Sequence, residues 1–169
     1  MMNYKMLMAI LLTTMFIVAP SLHATSTGEQ LPNFKVTTLD GTVMESEKIV
    51  GKSPLFLVFW ATWCPNCKRE IPHINQLVEE FGSKGGKGRG MEFLGVNVGV
   101  NDSEKKVRRY AKKYAMDYPI YFDKDSSLTK RFKVSGTPTI IIVDKSGIVR
   151  YRDVSPPEDL ENHLEDLSK

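Results

Sequence analysis

The fold of this chain is decided by residues 55–67, which read LFLVFWATWCPNC. The first six residues, Leu55–Trp60, are all apolar and partly aromatic or β-branched, which is typical of a strand buried on both faces of a sheet. Pro65 suits the first position of a helix, where its missing N–H is no loss. From there to Phe81 apolar residues recur at helical spacing, and Pro72 inside the run predicts a kink. The segment therefore predicts a buried strand, a short loop and a helix.

The only two cysteines, Cys64 and Cys67, lie where this loop meets the helix. Cys64 lies at or just before the helix N-terminus, where unpaired backbone N–H groups and the helix dipole favour the thiolate. Cys67 lies almost one helical turn further on, close enough to bond to Cys64 and more shielded by the helix. An exposed attacking thiol with a shielded resolving thiol nearby is the pair that disulfide exchange requires.

Other uses of this cysteine pair fit less well. A c-type haem requires a histidine directly after the second cysteine, where the chain has Lys68, and a structural zinc requires two further ligands. A one-cysteine peroxidase usually has proline and threonine where Leu57 and Ala61 stand. A purely structural disulfide would close too short a loop to restrict the unfolded chain. Copper binding by two soft thiolates stays open as an alternative.

Composition limits the remaining possibilities. With 169 residues, 41% of them hydrophobic and 25% charged, the chain has the size and make-up of one globular domain with a real core. The net charge of +3, from 23 basic and 20 acidic residues, is too mild to indicate nucleic-acid binding. Two cysteines exclude a multi-disulfide scaffold and a four-cysteine zinc site. We expect no cofactor and no metal.

Residues 1–24 have the features of a secretory signal peptide. Residues 1–5 carry one basic and no acidic side chain, Met6–Ala19 contains no charge, and Ala24 is a small residue at the expected cleavage point. The apolar run is shorter than the roughly 20 residues of a membrane span, which favours cleavage, while a retained anchor at residues 6–19 is the alternative. In both cases residues 25–169 form the domain, in an extracytoplasmic or periplasmic space that permits disulfides.

The remaining strands follow from short apolar runs and turn residues. Asp40-Gly41 between two strand-like runs predicts a hairpin at the N-terminus of the domain. Residues 144–147 predict a second hairpin turn, with Gly147 where a positive φ is needed. Further strands are predicted at residues 91–98, 119–122, 139–143 and 148–151.

Further helices are predicted from cap residues and apolar spacing. Asn101 and Glu104 have capping-box spacing before a helix, and Asp125 is placed to cap a short one. A last helix is expected after Ser155, with Leu160 and two later leucines facing inward. The glycine-rich residues 82–90 indicate a solvated loop. The helix after residue 104 presents a basic face, which favours a solvated surface but leaves steering of an acidic partner open. The basic residues are Lys105, Lys106, Arg108, Arg109, Lys112 and Lys113.

This order of elements predicts an α/β fold with a central mixed sheet flanked by helices and an extra N-terminal β-hairpin. Trp63–Cys67 after a buried strand resembles the thioredoxin active site, and residues 134–139 (VSGTPT) resemble its proline loop. The closer resemblance is to the secreted TlpA/ResA-type branch, through Glu70-Ile71-Pro72, residues 95–101 (GVNVGVN) and residues 139–144 (TIIIVD). The resemblance covers residues 31–167 and implies a thioredoxin-like fold.

The resemblance also implies a role for each matching residue. Cys64 would attack, Cys67 would resolve, and the two would form the redox-active disulfide. Glu70 matches a carboxylate that this branch uses in proton handling near the cysteines. Thioredoxins proper carry a buried acid where this chain has Val58, which shifts that role toward Glu70. Pro138 would be a cis-proline facing the disulfide, and Thr137 would offer backbone hydrogen bonds to a substrate. The implied substrate-binding residues are Trp63, Pro65, Thr137 and Pro138.

The function implied is thiol–disulfide exchange with protein substrates, with a membrane thiol donor upstream. The resemblance favours an extracytoplasmic reductant, for instance of cytochrome c or copper-site cysteines. Oxidants of the DsbA kind usually carry a large helical insertion, for which residues 81–134 have no room. A disulfide oxidant and a copper-binding metallochaperone-type module are the alternatives. We expect a monomer that binds no nucleic acid.

Overall fold

The computed structural model describes residues 26–83 and 90–160. The predicted signal or anchor segment, most of the glycine-rich loop and the last helix beyond residue 160 lie outside this range. In the part that is described, no helix has the length and apolar character needed to cross a membrane. The elements are β1 (Lys35–Thr37), β2 (Val43–Glu45), α1 (Ser46–Ile49), β3 (Leu55–Trp60), α2 (Pro65–Phe81), β4 (Glu92–Asn97), α3 (Glu104–Lys113), β5 (Ile120–Phe122), α4 (Ser127–Arg131), β6 (Thr139–Val143) and β7 (Val149–Asp153).

Five strands form a mixed sheet in the order β5-β4-β3-β6-β7, and β1 and β2 form a separate hairpin. Strands β3, β4 and β5 run parallel, whereas β6 and β7 are antiparallel to their neighbours. The predicted α/β architecture with its N-terminal hairpin is therefore confirmed. The carboxyl ends of β3, β4 and β5 and the start of β6 meet at one sheet edge, which places their connecting loops side by side.

The centre of the sheet is β3, and all six of its residues are buried. Phe56 stacks on Phe93 of β4 with ring centroids 5.0 Å apart. Full burial of a large apolar side chain contributes about 1.5–3 kcal/mol, so this strand forms a rigid base for the loop that follows it. Gly95 in β4 leaves room for the side chains of Tyr118 and Trp60, because a Cβ there would lie 2.9 Å from Tyr118 Cε2 and 3.3 Å from Trp60 Nε1.

Helices α2 and α3 pack on one face of the sheet. The buried residues of α2 form the predicted stripe, and the helix continues through Pro72. Trp60 lies against Tyr110 of α3 with centroids 5.6 Å apart, and Asn75 Nδ2 donates to the Tyr114 carbonyl at 3.1 Å. These contacts hold β3 and α2 against α3. The buried stripe of α2 is Cys67, Ile71, Ile74, Leu77 and Phe81.

The N-cap positions of α3 and α4 differ from the predicted residues. Ser103, rather than Asn101, is the N-cap of α3 and accepts the Lys106 N–H at 3.4 Å. Asn101 instead adopts a left-handed conformation with φ 54°, which asparagine tolerates. The N-cap of α4 is Ser126, which makes no side-chain cap bond. The predicted cap residue Asp125 still accepts the N–H of Ser127, the first residue of α4, at 3.2 Å. The next two N–H groups of α4 bond to a buried acid earlier in the chain.

That acid is Asp123, whose carboxylate accepts the N–H of Leu128 at 3.2 Å and of Thr129 at 2.7 Å. Satisfying N–H groups at a helix start is worth about 1 kcal/mol per bond. Helix α1, a single turn after the hairpin, was not predicted from the sequence. Its buried Ser46 Oγ accepts the Phe34 N–H at 2.9 Å, a contact across the hairpin that no local pattern indicates.

Candidate active site

Cys64 and Cys67 are joined in a disulfide at the start of α2, with Cα atoms 5.3 Å apart. Cys64 is the N-cap of the helix, and its Sγ accepts the Cys67 N–H at 3.1 Å. In the reduced protein this N–H and the helix dipole would stabilise negative charge on Cys64. The expected difference in shielding is wrong for this oxidised form, because both cysteines are 4% exposed.

Cys64 is covered by the loop before β6. The Thr137 carbonyl oxygen lies 3.4 Å from Cys64 Sγ, although the residues are 73 positions apart in the chain. The Thr137–Pro138 peptide bond is cis, as the resemblance implies. Thr139 Oγ1 donates to the Gly136 carbonyl at 2.8 Å and closes the loop. The predicted residues of the proline loop and of the cysteine loop therefore lie together.

A narrow cavity lies behind the disulfide, between α2 and the sheet. Cys67, Glu70 and Pro138 line it, so the structure brings the predicted carboxylate and the buried cysteine to one space. Val58, where thioredoxins proper carry an acid, lines the same cavity. In this chain the carboxylate that lines the cavity is Glu70 on α2, whereas in thioredoxins proper it would come from the position of Val58 on β3. Glu70 is about one-quarter exposed, with its Oε2 3.9 Å from His73 Nδ1.

Two buried polar aromatic residues also border this cavity. Trp60 is 2% exposed, and its indole N–H has no hydrogen-bond acceptor among the described residues. Burial raises the pKa of Tyr118 well above its ordinary value, so this phenol stays neutral. Among the described residues, the lining is therefore apolar or uncharged except for the carboxylate of Glu70.

On the other side of the disulfide, a buried carboxylate holds the loop that leads to Cys64. The side chain of Asp102 is buried and lies just before α3. Its oxygens accept hydrogen bonds from the Thr62 N–H at 2.9 Å, from the Thr62 hydroxyl, from Asn97 Nδ2 at 2.9 Å and from Lys106 Nζ at 2.9 Å. Burial alone would raise the pKa of Asp102, but these hydrogen bonds outweigh it and hold the pKa below its ordinary value.

The same loop also holds Trp63, whose Nε1 donates to the Val100 carbonyl at 2.7 Å. Neither Asp102 nor this contact was predicted from the sequence. The available signal was the polar run at residues 101–103, in the loop between β4 and α3, at the sheet edge where Cys64 lies. Gly99 shapes this loop, because its φ is +75° and a Cβ there would collide with the Asp123 carbonyl.

The surface around the disulfide is partly apolar. The side chains of Trp63 and Val100 are 49% and 50% exposed, and Pro65 is also exposed. These residues form a rim beside the Cys64 sulfur. Within the described ranges, no group of three or more His, Cys, Asp or Glu side chains is placed to share a metal ion. A copper site in this part of the chain would therefore consist of the two cysteine sulfurs.

Comparisons with known proteins agree with this geometry. The AhpC/TSA family profile matches residues 27–152. The thiol-disulfide oxidoreductase ResA of Geobacillus kaustophilus is 33% identical over 146 residues, which cover 85% of this chain and 79% of the relative. A thio-disulfide isomerase from Thermus thermophilus has 27% identity and a TM-score of 0.68, covering 85% of this chain and 97% of its own. The thioredoxin domain of a Bacteroides vulgatus thiol-disulfide oxidoreductase, at 21% identity, has the same fold, with TM-score 0.68 and coverage of 85% and 99%.

Proposed function

The chain belongs to the AhpC/TSA family and is a thiol-disulfide oxidoreductase related to ResA, and from that premise we propose that it acts as an extracytoplasmic reductant of protein disulfides. The observation that carries this is the cysteine pair at the start of α2, with Cys64 as N-cap and its sulfur accepting the Cys67 N–H. This environment stabilises Cys64 as a thiolate, which is both the attacking form and a good leaving group.

The reaction proceeds in two exchanges. The Cys64 thiolate attacks one sulfur of the substrate disulfide, so a mixed disulfide forms and the other substrate sulfur leaves as a thiolate. Cys67 then gives up its proton and attacks the Cys64 sulfur, which releases the second substrate thiol. Two electrons pass to the substrate, and the enzyme ends with the Cys64–Cys67 disulfide. Glu70 accepts the Cys67 proton, since both residues line one cavity.

The substrate lies against the rim and the proline loop. Trp63 and Pro65 are exposed beside the disulfide, and Thr137 lies on the far side of the Cys64 sulfur. A substrate cysteine that is bonded to the Cys64 sulfur would have the apolar rim on one side and the backbone polar groups of Thr137 on the other. Pro138, directly after Thr137, lines the cavity behind the disulfide. This arrangement favours an extended polypeptide over a small molecule as substrate.

The reductant direction is supported by the connection between α2 and β6. In its described part, this connection contains only α3, β5 and the single-turn α4 beside β4, and so leaves no place for a large helical insertion. A membrane thiol donor would return Cys64 and Cys67 to the dithiol state. Residues 1–24 would deliver the domain across the membrane as a cleaved signal, or residues 6–19 would retain it there as an anchor. Cytochrome c or copper-site cysteines are substrates that such a monomeric domain would serve.

Trapping the reaction halfway tests this proposal. A Cys67→Ser variant keeps the attacking thiol but cannot resolve, so it should accumulate a mixed disulfide that mass spectrometry identifies. A Cys64→Ser variant is the matched control, and it should trap no partner and reduce no insulin disulfide. Full reductase activity in Cys64→Ser would overturn the proposal. Tight Cu(I) binding by the dithiol without any turnover would favour the copper-binding alternative instead.

A further inference from the structure

The exposed face of α3 is almost entirely basic. Its apolar residues face inward, with Val107 fully buried and Tyr110 against Trp60. The one acidic residue of the helix, Glu104, is paired with Arg108 at 2.7 Å. The outward side chains therefore present a positive surface with no apolar residue among them. The basic residues are Lys105, Lys106, Arg108, Arg109, Lys112 and Lys113.

This basic surface begins next to the disulfide. Lys106 Nζ lies 2.9 Å from the Asp102 carboxylate, which in turn holds Thr62 two positions before Cys64. On α2, Lys68 directly follows Cys67. The Lys68 Nζ lies 5.6 Å above the Tyr114 ring, and Lys113 Nζ lies 5.3 Å from the same ring. Cations over an aromatic face are held there by its quadrupole, so Lys68 joins the positive face of α3. We call Lys68 and the basic residues of α3 the basic ridge.

The basic ridge is continuous with the apolar rim of the site. Val100, 50% exposed, lies on the loop that leads into α3, and its carbonyl accepts the Trp63 indole N–H at 2.7 Å. Trp63 itself is 49% exposed. A polypeptide whose cysteine reaches Cys64 would therefore meet apolar side chains first and positive charge directly beyond them.

We propose that the basic ridge docks an acidic segment of the redox partner, so that the enzyme prefers disulfides flanked by aspartate and glutamate. This inference rests on the proposed function and names the partner's chemistry. An acidic polypeptide fits better than a lipid surface. Helices that lie on membranes insert exposed apolar side chains beside their basic ones, whereas the apolar residues of α3 are packed against the sheet.

Such a surface acts mainly on the rate of encounter. Charge complementarity raises association rates by about 10- to 1,000-fold at low salt, and salt screens the effect beyond roughly 10 Å at 0.1 M. For a short charged peptide we expect the lower end, about tenfold in kcat/KM. The preference should nearly vanish at about 0.5 M salt, because the ridge residues are exposed and their field is screened.

Two synthetic cyclic peptides with one internal disulfide test this. They are identical except that four aspartates flank the cysteines in one and four lysines in the other. The reduced wild-type enzyme should reduce the acidic peptide about tenfold faster at low salt. In an Arg109→Glu/Lys112→Glu variant the preference should disappear or invert. Both residues are exposed and lie in none of the ion pairs formed by the described residues. The milder Arg109→Gln/Lys112→Gln variant should lose part of the preference even if the charge-reversed protein folds poorly.

The matched control is Lys52→Glu/Lys145→Glu, which changes the net charge equally. Lys52 precedes β3 and Lys145 follows β6, so both lie at the sheet edge opposite the disulfide. This control should keep the wild-type preference. Equal rates of the wild type on both peptides would overturn the docking inference and leave the proposed function intact, whereas reduction of neither peptide would overturn both.

An equal loss of preference in the control would also overturn the docking inference, because net charge would then explain it. A membrane role has its own signature. Vesicles containing the anionic lipid phosphatidylglycerol would bind the wild type and not Arg109→Glu/Lys112→Glu, while the two peptides reacted alike. That pair of results would assign the ridge to a lipid surface and overturn the acidic-partner inference.

Discussion

The two sides of the disulfide are built differently. On one side, which we call the anchor side, residues 97–103 hold Thr62 and Trp63 through a buried carboxylate and a backbone carbonyl. On the other, the redox side, the Thr137 carbonyl lies against the Cys64 sulfur, and Glu70 is the one carboxylate among the described residues that line the cavity behind Cys67. The anchor side contacts the residues before the cysteines, whereas the redox side contacts the reacting atoms.

This difference predicts that the anchor side determines the stability of the fold, whereas the redox side determines the reactivity of the cysteines. The anchor hydrogen bonds involve no sulfur atom, so they should be present whether the cysteines are oxidised or reduced. The contacts of the redox side include the sulfurs themselves, so they change when the disulfide opens. Substitutions on the anchor side should therefore lower the free energy of unfolding of both redox forms equally. Substitutions on the redox side should change reactivity with little effect on stability.

The largest effect is expected at Gly99 on the anchor side. Its φ is +75°, and a Cβ would lie 2.2 Å from the Asp123 carbonyl oxygen. A Gly99→Ala change therefore combines a left-handed backbone penalty of about 1–2 kcal/mol with a backbone displacement of about 1–3 kcal/mol. We expect about 3 kcal/mol lower stability and a melting temperature lower by about 6–12 °C, measured by circular dichroism on both redox forms.

Gly51→Ala is the matched control for this change. Gly51 has a φ of +84°, but a Cβ there would meet nothing within 4 Å. This control should show only the backbone penalty of about 1–2 kcal/mol. Equal losses in the two variants would mean that the approach to Asp123 carries no cost, which would contradict the role given to Gly99.

The next largest effect is expected for Asp102→Asn. The amide nitrogen cannot accept the Thr62 N–H, and the neutral side chain loses the charged partner Lys106. Hydrogen bonds to a charged group contribute about 1.5–3 kcal/mol, so urea unfolding at pH 7 should show a loss of about 2 kcal/mol in both redox forms. Glu104→Gln removes an exposed ion pair with Arg108 and should cost less than about 0.5 kcal/mol. A loss confined to the oxidised form would contradict the anchor assignment.

The difference in stability between the wild type and Asp102→Asn should depend on pH in one direction. Burial raises the pKa of Asp102, but the hydrogen bonds from Lys106, Thr62 and Asn97 together outweigh it and hold that pKa below its ordinary value. A carboxyl with a lowered pKa stabilises the fold above its ordinary pKa and loses that contribution as the pH falls. The advantage of the wild type over Asp102→Asn should therefore be constant from pH 7 to about 5 and shrink below about pH 4.

The redox side was more accessible to sequence reasoning than the anchor side. Trp63–Cys67 and the Thr137-Pro138 pair are contiguous motifs, and the order of strands places them at one sheet edge. Glu70 is three positions from Cys67 on the same helix, so helical geometry alone brings it near. The burial of Cys64 could not be predicted in the same way, because it depends on a contact 73 positions away.

The anchor side depends on contacts that local patterns do not encode. Asp102 reaches Thr62 across 40 positions, and its role follows only from where β4 ends. Asn101 and Ser103 are both good cap residues, so a capping pattern cannot distinguish them. The choice is made by the loop, which turns left-handed at Asn101 and frees Asp102 to point inward. Tertiary contacts, rather than propensity, therefore decide the start of α3.

The smallest effect on stability is expected for Glu70→Gln, where the chemistry should change instead. Glu70 is partly exposed and 3.9 Å from His73, so its loss should cost less than about 0.5 kcal/mol. A negative carboxylate opposes a second negative charge nearby, and removing it should let Cys67 ionise at lower pH. In a Cys64→Ser background, thiolate absorbance against pH should show this lower midpoint. Glu79→Gln, an exposed site further along α2, should leave the midpoint unchanged, and equal midpoints in all three proteins would remove Glu70 from the proton step.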